Sequence, residues 1–96
     1  MAEIHVSVEE MLAAASSCNQ LSQEIAECKR KCVELNARLQ GSMKGQTAVA
    51  FDEFVNGKAV PFLNECSEMC AQTSQAITHT CNQFTEADST LSAAFR

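Results

Sequence analysis

Apolar residues recur along this chain at alternating steps of three and four, in two long segments separated by Gly41-Ser42-Met43-Lys44-Gly45. That spacing lines side chains along one face of an α-helix. With Met11 as position a of a heptad, Met11, Cys18, Ile25, Cys32 and Leu39 fall at a, and Ala14, Leu21, Cys28 and Leu35 fall at d. Every position of this seam is apolar or cysteine, as in the buried edge of a packed helix. Ser7 followed by Val8-Glu9-Glu10 has the pattern of a capping box and marks the start of the helix. No Pro or Gly interrupts the run before Gly41. A first helix over about residues 8–40 is predicted, roughly 50 Å long at about 1.5 Å per residue.

The second segment repeats the pattern in a different phase. Leu63, Cys70, Ile77, Phe84 and Leu91 fall at a, and Cys66, Thr73, Thr80 and Ala87 at d, a smaller and more polar seam. Upstream, Ala48, Phe51, Val55 and Phe62 form a stripe displaced by about one residue. Gly57 and Pro61 lie at the join. An interior proline removes one backbone hydrogen bond and clashes with the preceding turn, so the second helix, over about residues 47–92, should kink near 57–61.

Glycine can adopt the backbone conformations that end one helix and reverse the chain, so Gly41 and Gly45 predict a turn over about residues 41–46. The fold class is all-α: an antiparallel two-helix hairpin occupying residues 1–96 as a single domain. Such a hairpin encloses little interior. Leu12, Val33, Val49, Phe54 and Met69 widen the apolar stripes beyond the seam, and this surplus predicts dimerisation into a four-helix bundle. Met11, Leu21, Ile25, Leu35, Leu39, Phe51, Phe62 and Ile77 are the candidate residues of the helix and dimer seams.

Composition narrows the function. At 46% apolar and 20% charged, the 96 residues have the balance of a folded domain. No run reaches the roughly 18 apolar residues of a membrane span, so no integral membrane segment is expected. The N-terminus lacks the basic region and apolar core of a cleaved signal peptide. A net charge of -5 argues against a nucleic-acid partner. The one basic cluster, Lys29-Arg30-Lys31, is flanked by Glu24, Glu27 and Glu34. Glu27 with Lys31 and Glu34 with Arg38 have the spacing of ion pairs on a solvated helix face.

With the hairpin placed, the chain resembles the WXG-motif, ESAT-like family of small proteins of bacterial type VII secretion systems. Met43-Lys44-Gly45 occupies the place of that family's Trp-x-Gly turn, with Met43 standing where the family has Trp, and Thr47-Ala48-Val49-Ala50-Phe51 is similar to the start of its second helix. Phe84-Thr-Glu-Ala-Asp88 is similar to its Tyr-x-x-x-Asp/Glu secretion signal, with Phe for Tyr. The likeness extends from Ile4-His5-Val6 to Phe95, and the chain is also similar to the small helical partners of LXG-type toxins. The resemblance implies a turn motif at Gly41, Met43 and Gly45 and a secretion signal at Phe84 and Asp88. It further implies a homodimer, or a heterodimer with a related hairpin or the N-terminal helical domain of a toxin, handed to a secretion ATPase. The protein would be made in the bacterial cytoplasm and secreted without a cleaved signal, the turn of one partner lying beside the Phe84 to Asp88 segment of the other. Phe84 has a second reading as an ordinary seam residue, with Asp88 a solvated charge.

Six cysteines admit more than one reading. Five sit on the seam, where an unmodified thiol behaves as a small apolar group. A turn centred near residue 43 places Cys18 opposite Cys66 or Cys70, a candidate disulfide for an exported protein. The pairs Cys28/Cys32 and Cys66/Cys70 are also similar to the twin Cys-x-x-x-Cys pairs of mitochondrial intermembrane-space hairpins, though that pairing would centre the turn near residue 49. A cysteine-dependent metal binder or redox-linked chaperone is therefore the alternative function. Zinc sites use pairs that converge on turns, and neither His5 nor His79 lies at ligand spacing from a cysteine, so no metal and no cofactor are expected. No nucleophile, base and orienting acid occur together, and no enzyme is expected.

Overall fold

The structure, a computed structural model, describes residues 7–94, with side chains described from residue 7 to residue 87. Helix α1 spans Val8–Ser42 and α2 spans Gln46–Phe54, followed without a break by a π-helical turn, Val55–Ala59, and by α3, Val60–Ala94. The second arm of the hairpin is thus one continuous rod, and the particle measures 76 × 26 × 16 Å.

Each boundary has a local cause. The Ser7 hydroxyl accepts a hydrogen bond from the Glu10 amide at 3.0 Å, satisfying one of the donors a helix start leaves free. At the other end, the Met43 amide closes the last turn on the Leu39 carbonyl at 2.7 Å and its backbone then extends. Gly45 caps α2 with φ 90° and ψ -160°. Only glycine occupies that region without strain. Gly41 differs from expectation: it lies inside the last turn of α1, and Gly45 alone among the described residues has positive φ.

The expected kink is a π turn instead. The Val60 amide bonds to the Val55 carbonyl five residues back. A π turn takes in one residue more than an α turn, so the stripe slips by one position across it. That slip joins Ala48 and Val55 to Leu63, Cys70 and Ile77, and it accounts for the one-residue displacement of the upstream stripe. Pro61, which has no amide hydrogen to give, follows directly.

The interior is thin. Among the described residues only Ala15, Ala48, Val55 and Cys81 are fully buried apolar positions, joined by the polar Asn36. The a rows face inward as the periodicity predicts: Met11, Cys18, Ile25, Cys32, Leu39, Leu63, Cys70 and Ile77 are half-buried, with Phe51 beside them on α2. The d positions are different. Ala14, Leu21, Cys28, Leu35, Thr73, Thr80 and Ala87 are exposed, Cys66 alone being half-buried. The inner seam is completed one residue further on by Ala15, Ser22 and Asn36 of α1 and by Ser67, Ser74 and Cys81 of α3.

Small residues win these places because their hydroxyls bond to the backbone of the facing helix. Ser22 Oγ donates to the Ser67 carbonyl at 2.8 Å and Ser67 Oγ donates back to the Ser22 carbonyl at 3.0 Å. Ser74 Oγ donates to the Ala15 carbonyl at 2.8 Å. Leucine at these positions would hold the backbones too far apart for such bonds. Below the turn, Asn36 Nδ2 donates to Asp52 Oδ1 at 2.8 Å, and Gln40 Nε2 reaches both Asn36 Oδ1 and the Ala48 carbonyl. These bonds fix the register of the two arms, Ser22 opposite Ser67 and Ala15 opposite Ser74.

Candidate functional site

Leu21, Cys28 and Leu35, seven residues apart on α1, form one row along the outside of the hairpin, with Leu21 and Leu35 about half exposed. They do not line the inner seam, for the reason just given. Phe62 and Met69 form the matching row on α3, 62% and 66% exposed. The rows meet in an open groove of about 540 Å³ lined by Cys28, Cys32, Phe54, Lys58, Phe62 and Leu63. The π turn builds this groove. In an unbroken α-helix Phe54 and Phe62 would diverge by about 80° at 100° per residue, whereas one extra residue in the turn brings them within about 20° of a common stripe.

The groove lining is almost wholly apolar apart from Lys58, and it is open along the surface. An arrangement of this kind receives a protruding side chain. The charged face of α1 lies apart from it. There Arg30 bridges Glu27 and Glu34 one turn to either side. This arrangement replaces the expected pairs of Glu27 with Lys31 and Glu34 with Arg38, because one guanidinium can fork to two carboxylates at once. The Arg30 hydrogen bond, aided by its charge, holds the Glu27 carboxyl below its usual range.

The turn motif is compact. Met43 is half-buried at the end of α1, and Gly45 opens α2 two residues later. Phe84, at the far end of α3, is 58% exposed and lines a shallow surface groove with Thr80, Gln83 and Ala87. Its place in the heptad does not bury it. In the register set by Ser74 opposite Ala15, Cys81 lies level with Val8, so Phe84 projects past the start of α1. Asp88 belongs to the same helix, but its side chain lies outside the described residues, as do Leu91, Ile4-His5-Val6 and Phe95.

All six cysteines are free thiols. Cys18, Cys66 and Cys70 are half-buried along the seam, Cys28 is exposed and Cys81 is buried. Among the described residues no group of three or more His, Cys, Asp or Glu side chains is placed to hold a metal ion, and no helix is long and apolar enough to cross a membrane. His79 is exposed on α3. Sequence reasoning passed over the Ser22/Ser67 pair, Ser74, and the Asn36, Gln40 and Asp52 cluster. The signal for the serines and Asn36 was small or polar residues at multiples of seven beside the a row, and Gln40 follows Asn36 by one helical turn.

These features define a small all-α hairpin protein in which about half of the described large apolar side chains lie exposed on its outside. A model of the WXG100 family, proteins of 100 residues with WXG, matches residues 3–89, and the chain belongs to that family of small proteins associated with type VII secretion. It matches no curated protein and no solved structure.

Proposed function

We propose that this chain is a noncatalytic protein secreted by a bacterial type VII system, acting either as a substrate in its own right or as the targeting partner of a larger effector. The observation that carries the reading is the exposure of Phe84 on a helix long enough to present it beyond the two-helix core. Asp88 follows four residues later, and residues at that spacing share a helix face, so one docking groove on a secretion ATPase can read ring and carboxylate together. The phenyl ring keeps the shape of the family's tyrosine and lacks only its hydroxyl.

The apolar rows of Leu21 and Phe62 supply the second half of the proposal. A hairpin with only four fully buried apolar positions among its described residues gains most by covering this face with another helical molecule: a second copy, a related hairpin or the helical domain of a toxin. Dimerisation would bring the Met43 to Gly45 turn of one partner toward the Phe84 to Asp88 segment of the other, making a composite export surface.

The test is secretion of Phe84→Ala and Asp88→Ala variants from a host carrying the secretion system. Both should accumulate inside the cell while retaining the circular dichroism of the parent. Normal export of both variants would overturn the signal assignment.

A further inference from the structure

We propose that the groove of Cys28, Phe54 and Phe62 is the receiving half of a self-complementary contact, and that its occupant is Met69 of a second copy of this chain packed antiparallel across a two-fold axis. The proposal rests on the dimerisation reading above and names its partner and its central contact.

Three observations converge on it. Met69 has the greatest exposure of the large apolar side chains on the described surface, at 66%, and it lies one heptad beyond Phe62 on the same row. In a two-fold contact each copy must offer both the knob and the hole. The symmetry axis must then pass halfway between groove and Met69, near residues 65–66 of α3. Ser22 faces Ser67, so that level meets α1 near residues 23–24. The middle of α1, Val8–Ser42, falls at residue 25. Exchange of Met69 therefore overlaps the two hairpins along nearly the whole length of α1, with a slip of about three residues, about 4.5 Å at about 1.5 Å per residue. A knob elsewhere on the row would leave part of the apolar surface uncovered.

Area and chemistry agree with this placement. The overlapped face is about 48 Å long at about 1.5 Å per residue and up to 26 Å wide, more than the roughly 800 Å² per partner of a stable complex. The d rows, Ala14, Leu21, Cys28 and Leu35 on α1 and Cys66, Thr73, Thr80 and Ala87 on α3, carry no charge. The net charge of -5 thus does not oppose self-packing there. Methionine adapts to an irregular groove, and its sulfur makes favourable contacts at the edges of aromatic rings such as Phe54 and Phe62.

Two measurements test the contact. Light scattering on the reduced wild-type protein should give twice the chain mass, and Met69→Lys should give a single chain with parental helicity. In a background with every cysteine but Cys28 replaced by Ala or Ser, Met69→Cys should form an inter-chain disulfide with Cys28 when a small-molecule disulfide is added. That oxidant accepts the two electrons and protons the thiols release, and most of the protein should then run at double mass without reductant. Thr78→Cys, on the opposite flank of α3, should not cross-link. A wild type that is monomeric alone and pairs only with a different hairpin overturns the second copy as occupant. A wild-type dimer in which Met69→Lys still dimerises and Met69→Cys fails to cross-link overturns the Met69 contact and leaves the dimerisation reading standing.

Discussion

The two glycines flanking the turn should respond to alanine with opposite signs. Gly45 has φ 90° and ψ -160°, a region that excludes residues with a Cβ, while a Cβ built there meets no atom within 4 Å. Steric contact with the rest of the fold therefore contributes nothing, and the whole effect is local backbone strain, about 1–3 kcal/mol. Gly41 lies in the last turn of α1, also with nothing within 4 Å. Alanine there removes the entropic penalty of glycine in a helix and should stabilise by about 0.5–1 kcal/mol. Urea unfolding followed by far-ultraviolet circular dichroism separates the two, provided protein concentration is held fixed because association adds to apparent stability. With a denaturant slope of about 1 kcal/mol per molar, Gly45→Ala should lower the midpoint by roughly 1–3 M and Gly41→Ala should raise it by roughly 0.5–1 M. A neutral Gly45→Ala, or a Gly41→Ala that destabilises more than Gly45→Ala, would refute the assignment of the reversal to residue 45.

Three further outcomes follow from other parts of the fold. Asn36→Ala removes the amide that bonds to Asp52 and accepts from Gln40, and should destabilise by about 1–3 kcal/mol in the same assay; a change below about 0.5 kcal/mol would show that water replaces the network without loss. Deleting Asn56 should be tolerated, because taking one residue from the π turn leaves a seven-residue α repeat from Val55 to Leu63, whereas deleting Gln72 rotates everything after it by about 100° and should abolish cooperative unfolding. Equal damage from both deletions would argue against the π turn as the source of the phase shift. Glu27 has a folded pKa depressed chiefly by its hydrogen bond from Arg30, so the ion pair contributes above the ordinary carboxylate range and is lost as pH falls through the lowered value. Carboxyl titration by NMR should show Glu27 moving up in Arg30→Gln, and an unmoved titration would remove Arg30 as the cause.

Much of the architecture was legible in residue order. Ser7 marked the helix start, the glycine-bearing stretch marked the reversal, and the a rows from Met11 to Leu39 and from Leu63 to Ile77 marked the inward stripes. The one-residue phase change between Val55 and Leu63 was also visible. Its cause was not, since Gly57 and Pro61 are compatible with a kink as well as with a π turn, and only the Val60 to Val55 hydrogen bond decides between them.

The sequence by itself determined a two-armed helical hairpin, its turn, and a surplus of apolar residues too broad for one seam. Tertiary structure decided which flank of each helix lies inside. Hydrophobicity favours Leu21 and Leu35 for the interior, but beside the a rows two arms this close take Ser22, Ser67, Ser74, Ala15 and Asn36, the serine hydroxyls and the Asn36 amide bonding across the gap. The larger side chains are displaced outward, where they build the face from which the association is argued. Close backbone approach is a property of two helices together, and no periodicity within either one encodes it.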